Sequence, residues 1–181
     1  MAGAYSVTIC AQDRHCLFGD VTHGEMKWND AGRMVEKWWL ELTNKFPSVE
    51  TDEYVVMPNH LHGILTIVGA DLCVRPDPNP IHPNSVGPGL MEPKEGAHIG
   101  APLPKILQWF KTMTTNEYIR GIKHFDWPPF IGKLWQRNYY EHIIRTEEEL
   151  NQIRKYILDN PLNWEKDKEN PNNNQYAYNL P

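Results

Sequence analysis

At 181 residues, 40% hydrophobic and 23% charged, the chain has the size and composition of one globular domain with enough apolar side chain for a core. A formal net charge of −5 speaks against a surface coated in basic charge, and no apolar run approaches the ~20 residues of a membrane span. The start shows no charged segment leading into an apolar one, and the three cysteines (Cys10, Cys16 and Cys73) form no CxxC, so secretion, a disulfide framework and a zinc knuckle are not expected, and a cytoplasmic protein is.

Residues 4–12 (AYSVTICAQ) are rich in β-branched and aromatic side chains and read as a strand. Residues 16–18 and 25–28, flanking Gly19 and Gly24, read as the arms of a hairpin. Asn29 or Asp30 caps a helix to about residue 46, with Val35, Trp38, Trp39 and Leu42 on its apolar side and Pro47 as its stop. Residues 49–57 and 60–68 read as two strands broken by Pro58-Asn59, and so short a break favours antiparallel pairing. Composition then changes. Eight of the 35 residues in 70–104 are Pro and four are Gly, so a long loop or disordered insertion is expected, and its His82 and His98 are poor ligand candidates. A helix over 103–119 follows, with Ile106, Trp109, Phe110 and Met113 as its stripe, then a long final strand over 134–145. Thr146 and Glu149 make a capping box for a last helix that ends where Asn160 meets Pro161. This order predicts an α+β domain over 1–164, an antiparallel sheet with helices packed on one face, followed by a polar flexible tail over 165–181.

Charge is unevenly spread. Residues 1–103 hold 7 basic and 13 acidic side chains and residues 146–181 hold 4 and 7, whereas residues 104–145 hold 7 and 3. The basic members of that middle island are Lys105, Lys111, Arg120, Lys123, Lys133, Arg137 and Arg145, interleaved with rings such as Trp109, Tyr118, Trp135, Tyr139 and Tyr140. Positive charge beside stackable rings suits single-stranded nucleic acid, since every base offers a π-face and every linker a phosphate. A solvated helix face over core aromatics explains the same residues.

Three groups of residues are able to carry chemistry. On a strand, alternate side chains share a face, so His60 and His62 point the same way, about 7 Å apart along the chain, and two imidazoles so placed can share a metal ion. Two half-buried histidines bonded to backbone are the alternative. On the last helix Tyr156 and Asn160 are four apart and share a face, placing a phenol beside an amide oxygen, or simply a half-buried tyrosine near a helix end. In 135–145, Tyr140 and His142 share one strand face and Arg137 and Arg145 the other, either as a site or as a strand half core and half basic surface. Phosphate-loop, dinucleotide, serine-hydrolase and zinc-protease motifs are absent from the sequence.

Taken in order, VVMPNHLHGI at 55–64, LWQRNYYEHIIR at 134–145, and Tyr156-Ile157 with Asn160-Pro161 resemble the REP-associated tyrosine transposases of the single-tyrosine HUH superfamily, a resemblance spanning about 2–164. The start would then enter directly at the first strand of that family, without a basic leader. The resemblance implies an RRM-like or ferredoxin-like sheet, with His60 and His62 binding Mg²⁺ or Mn²⁺, Asn160 as third ligand and Tyr156 as nucleophile. It also implies single-stranded or hairpin DNA as partner, cut and rejoined through a 5′-phosphotyrosine link, by a monomer or a homodimer. Lys105, Lys111, Arg120, Lys133, Arg137, Tyr140, His142 and Arg145 are then the expected nucleic-acid contacts. A hairpin-binding relative without activity and a small metal-dependent phosphoesterase are the rival functions.

Overall fold

The computed structural model describes residues 3–68 and 102–174. The expected insertion, with His82 and His98, lies outside the described residues as far as residue 101. The described chain runs β1 (Gly3–Cys10), β2 (Gly19–Thr22), β3 (Glu25–Trp28), α1 (Asp30–Lys45), β4 (Val49–Val56), β5 (His60–Ile67), α2 (Leu103–His124), β6 (Tyr140–Ile144), α3 (Glu147–Leu158) and α4 (Pro171–Asn174). Four strands form an antiparallel sheet in the order β4-β5-β1-β6, and β2 and β3 pair separately. This is the α+β antiparallel architecture expected.

Alternation along the strands divides the apolar residues between two faces. Val7, Ile9, Val56, Leu61 and Leu65 meet Val35, Trp39 and Leu42 of α1 and Ile106, Leu107 and Phe110 of α2 in the main core. Val55, Ile64 and Ile144 face the other way and pack on Ile157, Leu150 and Ile153 of α3. Two helices therefore share one face, as expected, while α3 lies across the opposite one. A forked ion pair from Arg154 to Asp52 (3.0 and 2.6 Å) ties α3 to β4, at the irregularity between Thr51 and Tyr54. Asn29 caps α1 by accepting the Gly32 N–H.

The position of β5 depends on Gly63. A Cβ there would stand 2.3 Å from the ring of Trp39, which is fully buried beneath the strand. Only glycine lets the two-histidine strand lie directly on that indole.

Four boundaries depart from expectation. The hairpin begins at Gly19, after residues 16–18, because the N–H groups of Leu17 and Phe18 are both taken by the Pro58 carbonyl; its turn uses His23 and Gly24 at φ 54° and 76°. Helix α2 continues to His124, with Trp127 folded against Gly121. The last strand is only Tyr140–Ile144, since Lys111 Nζ gathers the carbonyls of Gln136, Arg137 and Asn138 (2.9, 3.2 and 3.1 Å) that a ladder would need. The tail expected to be flexible over 165–181 is packed in its described part: Glu169 and Asn170 are buried, and Glu169 pairs with Arg14 at 2.8 Å, while residues 175–181 lie outside the described residues.

Candidate active site

His60 and His62 leave β5 on the face opposite the main core, both buried, with ring centroids 4.6 Å apart. The tautomer of His60 follows from its neighbours. The amide nitrogen of Asn59 donates to the carbonyls of Arg14 (2.9 Å) and Glu169 (2.8 Å), so its oxygen is the atom 2.8 Å from His60 Nδ1. That ring nitrogen must donate, which leaves the lone pair on Nε2. His62 Nδ1 bonds the Thr8 hydroxyl at 2.8 Å and likewise leaves Nε2 free. Burial holds the His62 imidazole down at about 4 and His60 well below its ordinary range, so both rings are neutral at pH 7.

Four buried polar atoms of this site have no hydrogen-bond partner among the described residues: His60 Nε2, His62 Nε2, Asn160 Oδ1 and Asp167 Oδ2. The donor atoms of His60, His62 and Asp167 all lie within 4.8 Å of one another. Unpartnered buried donors are costly, and a cluster of them is accounted for by a bound ion. Burial, then the Glu169 charge, raises the Asp167 carboxyl. Two imidazoles, a carboxylate and an amide oxygen are a donor set that fits a divalent cation.

Tyr156 completes the group. It is 53% exposed, and its ring centroid lies 5.3 Å from that of its own chain's His62. Burial and the Asp167 charge push its phenol up, and the Asn160 side chain works against them. Sequence spacing thus brings His60, His62, Tyr156 and Asn160 together. It missed Asp167, which follows the short helix Pro161–Lys166, Thr8, which lies on the neighbouring strand, and Asn59, whose partners at Arg14 and Glu169 are distant in the chain.

The expected nucleic-acid residues separate. Lys133 and Arg137 are exposed and, with Lys111, line a cleft of about 930 Å³ between α2 and residues 132–139. Lys105, Arg120 and Arg145 are exposed elsewhere, and Tyr140 is exposed on the edge strand. Lys111 is spent on three carbonyls, and His142 Nε2 is 2.6 Å from Glu149, at the start of α3.

No protein-family model matches the chain. A Haemophilus influenzae protein, described only as uncharacterized, is 36% identical over 166 residues, 92% of this chain and 84% of that one. The chain belongs to that protein's family. The structure of a REP-associated tyrosine transposase bound to a REP hairpin aligns over 89% of this chain and 67% of that one, at 17% identity and a TM-score of 0.54. The fold is that of a tyrosine transposase. A candidate transposase from Deinococcus radiodurans covers 88% of this chain and 92% of its own at 15% identity, with a TM-score of 0.48. Among the described residues, no helix is long and apolar enough to cross a membrane.

Proposed function

We propose that the chain is a metal-dependent transesterase that cleaves and rejoins single-stranded DNA beside hairpin-forming repeats, through a 5′-phosphotyrosine link on Tyr156. The observation that carries this reading is the cluster of unpartnered buried donors with the exposed phenol of Tyr156 against it. The hairpin bound by the transposase of similar fold supports the same class of partner. Such a substrate places the protein in the cytoplasm.

His60, His62 and Asp167, with Asn160 as a further donor, would hold Mg²⁺ or Mn²⁺, and such an ion supplies charge that polarises a phosphoryl group and eases departure of its leaving oxygen. The remaining steps belong to the protein. Tyr156 gives up its proton, and its oxygen bonds to the scissile phosphorus as the bond to the 3′ oxygen breaks; that oxygen takes up a proton and leaves as a 3′-OH. One ester replaces another, so the link retains the free energy for rejoining to a second 3′-OH. The Asn160 side chain beside the phenol favours the phenolate that this step requires. Lys133 and Arg137 would meet phosphates of the strand.

The test is a 3′-labelled hairpin oligonucleotide with single-stranded flanks, incubated with the protein and Mn²⁺ and run on a denaturing gel. A labelled adduct that disappears in Tyr156→Phe and in His60→Ala supports the reading. Strand cleavage without an adduct identifies a phosphoesterase that uses water, and binding without cleavage identifies a hairpin-binding module.

A further inference from the structure

Beside the metal donors, between β1 and the segment leading into β6, lies a cavity of about 300 Å³ lined by Thr8, Cys10, Gln136, Asn138, Tyr139 and Tyr140. Thr8 is its wall toward the donors. Its hydroxyl bonds His62 Nδ1, and in the sheet it stands opposite His62 on one side and Tyr140 on the other. Residues opposite one another across strands share a face, and neighbouring strands are about 4.8 Å apart, so Tyr140 stands about 10 Å from His62 on the same surface. At about 3.4 Å per nucleotide of stacked strand, that is about three nucleotides.

The walls are equipped for a base. Tyr140 is 60% exposed, with Lys168 Nζ 5.1 Å from the centre of its ring. Lys168 also lies close enough to lower both His60 and His62, so its charge covers the route between the donors and Tyr140. Asn138 is exposed, and among the described residues its side-chain amide has no hydrogen-bond partner. Gln136 is fixed by its backbone N–H on the Cys10 carbonyl (2.9 Å) and its side-chain nitrogen on the Ala11 carbonyl (3.3 Å), which leaves its amide oxygen to accept. Lys111 locks the backbone of 136–138 from behind, so both amides are presented on a rigid rim. A stacking ring, two side-chain amides and a cation are the means by which a protein takes an unpaired base and its phosphate.

The geometry points to a nucleobase subsite: this cavity receives one base of the single strand within about three nucleotides of the scissile phosphate, stacked on Tyr140 and read at its edge by Asn138 and Gln136. It rests on the transposase reading above and adds base selectivity to it. Seating the base sets the register of the strand, so the phosphate that reaches the donors lies about three nucleotides away, and the base that fills the cavity selects where the strand is cut.

The experiment scans one abasic site through the single strand flanking the stem of a hairpin oligonucleotide. Affinity is read by fluorescence anisotropy with the uncleaving Tyr156→Phe protein, and cleavage with the wild type in Mn²⁺. The expected profile has one position where base loss weakens binding at least 10-fold. In Asn138→Ala and Tyr140→Ala, carried in the Tyr156→Phe background, the same base loss costs less than 3-fold. The four bases placed at that position should differ in affinity, and that difference should shrink in Asn138→Ala. A flat profile, or an undiminished step in both variants, overturns the subsite; if cleavage and adduct are then intact, the transposase reading stands. A clear step in binding with no adduct from wild type supports the subsite and overturns the role given to Tyr156. No binding to any oligonucleotide overturns both.

Discussion

Asn59→Ala tests the site without relying on DNA. The side chain is fully buried and makes three bonds: its nitrogen donates to the carbonyls of Arg14 and Glu169, and its oxygen accepts from His60 Nδ1. Removal leaves two carbonyls and an imidazole N–H without partners, each costing about 1–3 kcal/mol if wholly buried. The Arg14 end is partly solvated, so a total of about 3 kcal/mol is expected. For a chain of this size that lowers Tm by about 6–12 °C. It also frees the His60 tautomer and releases the strap that carries Asp167, and loss of such a support typically weakens metal binding about 10–100-fold. At saturating Mn²⁺ the stabilisation by metal should shrink by about 1.4–2.7 kcal/mol. Asn59→Asp keeps the acceptor for His60 and loses both donors, so it should retain more of the metal shift than of the stability. The assay is thermal or urea unfolding with and without Mn²⁺. If Asn59→Ala unfolds like wild type, or shows the same shift with Mn²⁺, the account of His60 as an oriented ligand is wrong.

Acidification should destabilise the metal-free protein. His62 sits at about 4 when folded against an ordinary 6.5, so the unfolded chain binds more protons between these values and stability falls as pH drops through that window, by about 2 kcal/mol at pH 5. The raised Asp167 carboxyl works in the opposite sense at the acid end. Urea titrations at pH 7 and 5 measure the difference, which should vanish in a His60→Gln, His62→Gln variant. Lys111→Met should cost about 2 kcal/mol in urea unfolding, because three carbonyls lose their donor, whereas exposed Lys133→Ala should leave stability unchanged and reduce the salt slope of DNA binding by about one. Gly63→Ala should destabilise by about 1–3 kcal/mol and weaken metal binding, since Trp39 or β5 must move; metal titration with calorimetric melting checks both.

The local parts of the site are legible in the sequence. HLH on a strand faces both imidazoles one way, and Tyr156 and Asn160 share a helix face by their spacing alone. Asp167 is not legible. A polar, Asn-rich stretch reads as solvated, and what holds it down is Asn59 and Arg14, more than 100 residues away in the chain. The strand expected over 134–145 fails for a related reason. Its first half has strand-like residues, but its carbonyls are claimed by Lys111 from α2, a partner that local pattern does not reveal. The sheet and its main-face helices follow from alternation and capping, while the lodging of α3 on the opposite face depends on the apolar patch of Val55, Ile64 and Ile144, strand positions that local pattern alone does not assign to a helix, with the Asp52–Arg154 ion pair beside it.

The central claim is that Tyr156 becomes covalently joined to DNA. Trypsin separates Tyr156, in the peptide spanning residues 156–166, from Tyr139 and Tyr140 of the neighbouring cavity, in the one spanning 138–145. Wild-type protein incubated with Mn²⁺ and a cleavable hairpin substrate, then digested with nuclease and trypsin, is analysed by tandem mass spectrometry. The account predicts a phosphonucleotide on Tyr156 and none in a sample prepared without metal. The same mass on Tyr139 or Tyr140, or cleaved DNA with every tyrosine unmodified, contradicts it.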